Sequence, residues 1–311
     1  MQEAFVNINS IPTHIISWAP WIEESFPKKE VVICITGNPG LPGFYTKFSK
    51  TIHEHIDPDI PVWVIGHAGH DEPPETSLRR VPPLRGNEDK YNLDAQIKHK
   101  LEFIETYVPD DVKIHLIGHS IGAWMIIEML KREPAIRDKI QHSYLLFPTI
   151  ERMAVSPNGF YFTKLFQRIW FLLRFIVIIF SKFPVFFQVF LLSIYFWLAS
   201  IPRQFLGTGL KYSRLTIMEK VLFLANEEMK RVVELDSATL ETLRNNHRIL
   251  KFYYGASDGW TPLKYCHQLK EKIPELDLEI DTRKFDHAFV IKSSEEVGKM
   301  VADWIMHRRR Y

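Results

Sequence analysis

The feature that most constrains this 311-residue chain is the pattern G-x-S-x-G at 118–122. The run before it, 112–117, alternates and then becomes apolar, which predicts a mostly buried strand. The residues after it place apolar side chains at helical spacing until Pro134. A serine at so sharp a turn has a strained backbone, and its flanking glycines avoid Cβ clashes with the neighbouring strand and helix. The pattern therefore predicts that Ser120 is a nucleophile and that the chain is a hydrolase.

Strands and helices alternate on both sides of a long middle segment. Strands are predicted at 31–35, 62–65, 112–117, 144–147, 249–254 and 276–280, and helices at 94–107, 262–273 and 294–307. This alternation predicts an α/β-hydrolase fold with a doubly wound, mostly parallel sheet. We predict that residues 1–150 and 247–311 form the core. The remaining residues, 151–246, are predicted to form an apolar helical insertion after the strand that follows the nucleophile helix.

A base and an acid follow the serine in the order that an α/β hydrolase requires. Asp258 comes just after a predicted strand, and His287 lies beyond the next one. The histidine would take the serine proton, and the carboxylate would fix the histidine tautomer. Asp281 and Asp286 are alternatives for the acid, although adjacency to His287 makes side-chain alignment awkward for Asp286. The sequence predicts the catalytic set Ser120, Asp258 and His287.

Acyl transfer also requires two donors for the oxyanion that forms on the substrate. The backbone N–H of Ile121, directly after the nucleophile, is predicted to be the first donor. The second is predicted in the glycine-rich turn at 37–40. We favour the backbone of Asn38, because Pro39 has no N–H and Gly37 lies one residue earlier in the turn.

Composition excludes several classes of partner. Lys plus Arg number 39 and Asp plus Glu number 37, so no strong net charge favours nucleic acid. Cys34 and Cys266 form neither a disulfide framework nor a metal pattern, which fits a reducing compartment. The first 20 residues lack the pattern of a secretory signal.

We predict no cofactor and no metal, because three short-spaced histidine pairs lack partners with zinc-ligand spacing: His53 and His55, His67 and His70, and His115 and His119.

The segment 160–206 is unusually apolar and aromatic. Pro184 divides it into stretches at 169–181 and 185–201, each shorter than the 20 or so residues of a comfortable membrane span. Strands before and after the segment must join one sheet, so a single crossing is excluded. We favour a helical hairpin embedded in one leaflet of a membrane or lipid droplet over a cap that packs on the active site. Residues expected at the interface are Arg168, Trp170, Arg174, Trp197, Arg203 and Lys211.

Several longer strings resemble the lipid droplet-associated hydrolase family. They are GNPG at 37–40, GHSIG at 118–122, LFPTIERM at 146–153, SPNG at 156–159, FYYGASDGWTP at 252–262 and HAF at 287–289. The resemblance implies that Ser120, Asp258 and His287 hold the nucleophile and charge-relay positions. It also implies a lipid ester substrate, in particular a sterol ester, and a location on the cytosolic face of lipid droplets and the endoplasmic reticulum.

Two hypotheses of different classes follow from these patterns. The first is a serine esterase that works through an acyl-enzyme at the droplet surface. The second is a droplet-associated scaffold or binding protein with weak or no turnover, since a fold alone does not certify catalysis.

Overall fold

An eight-stranded sheet organises the computed structural model, which describes residues 1–308 except for the side chains of Gln167 and Arg308. The spatial order of the strands is β1-β2-β4-β3-β5-β6-β7-β8. The β1/β2 and β2/β4 pairs are antiparallel, and the other five pairs are parallel. The predicted fold class is confirmed. The strands are β1 Gln2–Ile8, β2 Ile11–Trp18, β3 Glu30–Ile35, β4 Val62–Ile65, β5 Lys113–His119, β6 Ile140–Leu146, β7 Leu250–Tyr254 and β8 Asp277–Ile280.

Helices cover both faces of this sheet. Along β3, Val31 and Ile33 pack into the core on one face, and Val32 and Cys34 pack into the core on the other. Burial on both faces explains why the central strands are continuously apolar. The helices are α1 Thr46–His55, α2 Leu93–Tyr107, α3 Ile121–Arg132, α4 Pro157–Tyr161, α5 Gln167–Lys182, α6 Val185–Leu198, α7 Leu206–Tyr212, α8 Leu215–Arg231, α9 Ser237–Asn246, α10 Leu263–Lys272, α11 Phe289–Lys292 and α12 Ser294–Arg308.

The amino-terminal hairpin was not predicted from the sequence. Its strands β1 and β2 are joined at Asn9 and Ser10, which have φ angles of 49° and 62°. Two consecutive residues with positive φ form the tight turn that suits a two-residue hairpin. The usual sequence signal for such a turn is a glycine, which is absent here.

The middle segment between β6 and β7 forms helices α4 to α9. Leu224 of α8 and Leu243 of α9 are fully buried in the same core as α3, and these two helices pack against the helices that flank the sheet. Helices α5 and α6 are different, because Val177 and Phe196 are their only buried side chains among those described. The proposed division of the chain at 151 and 246 stays a prediction.

The two apolar helices break at Pro184, as the sequence predicts. Of the 22 large apolar side chains exposed within the described part of the chain, 18 lie between 160 and 198. None of the helices described here has both the length and the apolar character needed to cross a membrane. Exposed apolar side chains concentrated in one segment are unusual for a soluble surface, so this segment is a candidate contact surface.

Candidate active site

Ser120 lies at a strained turn between β5 and α3. Its φ and ψ angles are 54° and −121°, outside the regions that L-residues favour. A Cβ atom on Gly118 would lie 2.6 Å from Ile126 Cδ1, and one on Gly122 would lie 2.5 Å from the carbonyl oxygen of Ile35. The two glycines are therefore required by close contacts with the following helix and the neighbouring strand, as the sequence argument proposed.

Three side chains from distant parts of the chain meet at the carboxyl ends of the strands. His287 Nε2 lies 2.9 Å from Ser120 Oγ, and His287 Nδ1 lies 2.6 Å from Asp258 Oδ2. A carboxylate only accepts hydrogen bonds, so Nδ1–H donates to Asp258 and Nε2 accepts from the serine hydroxyl. The structure brings the three sequence-predicted residues into a continuous hydrogen-bonded relay. This arrangement is suited to removing the serine proton.

The Asp258 carboxylate is held by its own turn. Oδ1 accepts from the Trp260 N–H at 2.8 Å, and Oδ2 accepts from Thr261 Oγ1 at 2.8 Å. Burial would raise the pKa of Asp258, but the neighbouring His287 and these hydrogen bonds outweigh burial and hold the pKa below its usual value. Asp258 therefore stays ionised at neutral pH. The sequence analysis did not single out Thr261 as a site residue, although a hydroxyl three residues after an aspartate is a recognisable turn signal.

The alternative acids have other surroundings. Asp281 is buried and accepts from Tyr253 Oη at 2.7 Å, as well as from the backbone N–H groups of Arg283 and Phe285. It therefore organises the loop that leads to the histidine. Asp286 is exposed. The ring of His287 forms its hydrogen bond with Asp258 instead.

The turn after β3 lies beside the nucleophile. The Gly37 N–H donates to Tyr45 Oη at 2.7 Å and is therefore occupied. The Asn38 N–H has no hydrogen-bond acceptor within residues 1–308. Ile121 is the first residue of α3, a position whose N–H has no intrahelical acceptor. The two predicted oxyanion donors, Asn38 and Ile121, thus keep the hydrogen-bonding capacity that the role requires.

His119, the variable position of the pentapeptide, has a structural task that sequence reasoning missed. Its Nε2–H donates to the His287 carbonyl at 2.9 Å, and its Nδ1 accepts from Tyr45 Oη at 2.6 Å. Burial lowers the pKa of His119 to about 3, so the ring is neutral and both bonds fit one tautomer. Because Tyr45 also accepts from Gly37, one chain of hydrogen bonds joins the turn after β3 to the backbone of His287.

The contacts of the insertion correct one expectation for its basic residues. Lys211 was expected to point towards lipid headgroups, but its Nζ lies 3.0 Å from the buried carboxylate of Asp71. This ion pair therefore links α7 to the core. Arg174 forms an ion pair with Glu219 of α8 at 3.1 Å, and Trp197 is 76% exposed. Contact of this segment with lipid stays a prediction.

Neither of the two cysteines is paired, and no metal cluster is formed by the part of the chain that the structure describes. Cys34 in β3 and Cys266 in α10 are buried free thiols. No group of three or more His, Cys, Asp or Glu side chains within residues 1–308 is arranged to hold a metal ion.

Comparison with known proteins assigns the family. A family model described as lipid-droplet associated hydrolase matches residues 28–290. The chain belongs to this family. It is 56% identical to the lipid droplet-associated hydrolase of Drosophila melanogaster over 311 residues, covering all of both chains. It is 33% identical to the protein of the same name from Homo sapiens, covering 97% of this chain and 94% of that one.

Solved structures with low sequence identity share the fold of this family member. The thioesterase domain from the curacin biosynthetic pathway has a TM-score of 0.62 at 15% identity, covering 97% of this chain and 99% of that one. A meta-cleavage product hydrolase has a TM-score of 0.59 at 16% identity, covering 97% of both chains. These similarities establish the α/β-hydrolase fold.

Proposed function

We propose that this protein is a serine hydrolase that cleaves lipid carboxylic esters through an acyl-enzyme. The observation that carries the proposal is the hydrogen-bonded relay from Ser120 through His287 to Asp258. The family membership and the exposed apolar helices support a lipid as the acyl or alcohol component. Within that class, the family resemblance favours sterol esters.

The geometry supports a two-step reaction. His287 Nε2 accepts the hydroxyl proton of Ser120 as Oγ attacks the ester carbonyl carbon. The backbone N–H groups of Asn38 and Ile121 stabilise the negative charge that develops on the carbonyl oxygen. The intermediate collapses, the carbon–oxygen bond to the alcohol breaks, and His287 returns its proton to the departing alcohol.

Water completes the second step. His287 removes a proton from water, the resulting hydroxide attacks the acyl carbon, and the bond to Ser120 Oγ breaks as the serine regains its proton. Asp258 stays ionised throughout and stabilises the imidazolium that forms in each step. The products are the fatty acid and the free alcohol.

The site of action is part of the proposal. We place the protein on the cytosolic face of lipid droplets and the endoplasmic reticulum, with the 160–206 segment at the lipid surface. The relatives that carry the droplet name support the first location, and the exposed apolar side chains of α5 and α6 support the contact. A monotopic arrangement places these helices in one leaflet.

The decisive experiment compares the wild-type chain with Ser120→Ala. Purified protein in detergent is labelled with a fluorophosphonate probe and assayed on a panel of sterol, glycerol and short-chain nitrophenyl esters. We expect labelling and hydrolysis in the wild type and the loss of both in the variant. Unchanged labelling and turnover in Ser120→Ala would reject the proposal.

A second candidate is a droplet-surface scaffold that keeps the hydrolase fold for binding. The observation that favours it is the concentration of exposed apolar side chains between 160 and 198. This candidate requires cellular lipid phenotypes to survive Ser120→Ala. Loss of those phenotypes in a stable, droplet-bound Ser120→Ala protein would eliminate it.

A further inference from the structure

The turn that carries the proposed oxyanion donor is held by the insertion as well as by the core. Asn38 Nδ2 donates to the Val221 carbonyl oxygen at 3.0 Å and to Glu228 Oε1 at 3.0 Å. Both acceptors belong to α8 and are seven residues apart, about two helical turns, so they lie on the same face. A backbone carbonyl cannot donate, which fixes the orientation of the Asn38 amide with its nitrogen towards α8.

We infer that Glu228 is a positioning residue for the oxyanion turn, holding the Asn38 side chain so that the Asn38 backbone N–H faces the reacting carbonyl. This inference rests on the proposed function. Within residues 1–308 the buried Asn38 Oδ1 has no hydrogen-bond partner, so α8 supplies the hydrogen bonds of this amide. Removing the Glu228 acceptor would release half of that restraint.

The residues on either side of Asn38 are held by hydrogen bonds that do not involve α8. Gly37 is fixed through Tyr45, and the Pro39 carbonyl accepts from His70 Nδ1 at 2.8 Å. The Gly40 N–H donates to the Gly37 carbonyl at 2.7 Å. Each neighbour of Asn38 is thus tied to the core, whereas the Asn38 side chain is tied to the insertion.

Glu228 is suited to a site where negative charge develops. Its side chain is buried, and burial raises its pKa to about 8, with the hydrogen bond from Asn38 acting in the opposite direction. The carboxyl group is therefore protonated and neutral at pH 7. It offers an acceptor to Asn38 without adding a charge that would repel the oxyanion.

The test compares two substitutions in the full chain. Glu228→Gln keeps an acceptor oxygen at the same position, and Glu228→Ala removes it. Turnover of a nitrophenyl ester is normalised to active sites titrated with fluorophosphonate. We expect Glu228→Ala to lower kcat by about tenfold or more, with KM changed less than about twofold. For Glu228→Gln we expect kcat within about threefold of wild type. Wild-type kcat in Glu228→Ala, or an equal loss in both variants, would overturn the inference.

Two further variants keep the test independent of folding. Asn38→Ala leaves Glu228 in place and should lower kcat by a similar factor, so wild-type kcat in Asn38→Ala would also overturn the inference. Glu227→Ala, at the neighbouring half-buried position of α8, is the matched control and should behave as wild type. Failure of the proposed function can be told apart from failure of this inference, because the former gives retained hydrolysis in Ser120→Ala.

Discussion

His287 Nε2 lies 2.9 Å from Ser120 Oγ although the two residues are 167 positions apart in the chain. The distance is within hydrogen-bond reach, so the imidazole and the alcohol are aligned for proton transfer. This alignment depends on the histidine tautomer. Nε2 is an acceptor because the proton resides on Nδ1, where Asp258 accepts it.

Replacement of Asp258 tests this dependence. In Asp258→Asn the amide NH₂ can donate to Nδ1, which favours the tautomer with the proton on Nε2 and removes the acceptor for Ser120. We expect kcat on a nitrophenyl ester to fall by about 10²- to 10⁴-fold with the fold retained. Steady-state kinetics and the rate of fluorophosphonate labelling measure the effect.

The control for that experiment is Asp286→Asn. Asp286 is exposed and directly precedes His287 in the sequence, and its substitution removes the same carboxylate charge. Its kcat should remain within about twofold of wild type, since an exposed charge is strongly screened. Similar losses in both variants would show that Asp258 does not act through direct contact with the ring.

The hydroxyl of Tyr45 tests the chain of bonds behind the site. Tyr45→Phe leaves the buried Gly37 N–H and His119 Nδ1 without their partner, which should cost about 1–3 kcal/mol of unfolding free energy. It should also lower kcat, because the turn after β3 loses its link to the His287 backbone. Chemical denaturation and nitrophenyl ester kinetics measure the two effects.

Tyr254→Phe is the matched control for Tyr45→Phe. Tyr254 is also fully buried, but its hydroxyl has no hydrogen-bond partner among the described residues. Removing that hydroxyl should leave stability unchanged or raise it, and should leave kcat unchanged. A larger loss of stability in Tyr254→Phe than in Tyr45→Phe would contradict the assigned network.

The pH dependence of stability tests the raised pKa of Glu228. Between the ordinary carboxyl pKa of 4.5 and about 8, the unfolded chain ionises Glu228 and the folded chain keeps it protonated. The folded state therefore binds the extra proton, and the unfolding free energy should fall as pH rises through this window, by at most about 1.4 kcal/mol per pH unit.

Glu228→Gln removes this titration. Compared with wild type, its stability should improve progressively from pH 5 to pH 8, measured by urea unfolding at each pH. A constant difference between the two proteins across that range would mean that Glu228 has an ordinary pKa when folded.

Much of the fold and the site could be predicted because the relevant signals are local. The strand, glycine and helix signals around Ser120 lie within about 20 residues, and each core strand carries its own apolar pattern. Strand ends converge at one edge of a parallel sheet, so the order of Ser120, Asp258 and His287 was enough to predict that they meet.

The missed features depend on contacts between distant residues. Glu228 is 190 positions from Asn38, and a half-polar helix such as α8 gives no sign of which carboxyl is buried. His119 looked like a free position because its partners, Tyr45 and the His287 backbone, come from other elements. The direction of Lys211 likewise depended on Asp71, a residue 140 positions away.

The exposed face of the apolar helices gives the last prediction. Phe186 and Trp197 of α6 are 75% and 76% exposed, and moving each from water into lipid should contribute about 1.5–3 kcal/mol. The double variant Phe186→Glu/Trp197→Glu should bind phosphatidylcholine-coated droplets at least about tenfold more weakly while keeping its activity on a soluble nitrophenyl ester. Flotation assays measure the binding. The control is Leu78→Glu, which changes a 98% exposed side chain outside this segment and should bind like wild type. Equal binding by wild type, the double variant and Leu78→Glu would show that another surface contacts the lipid.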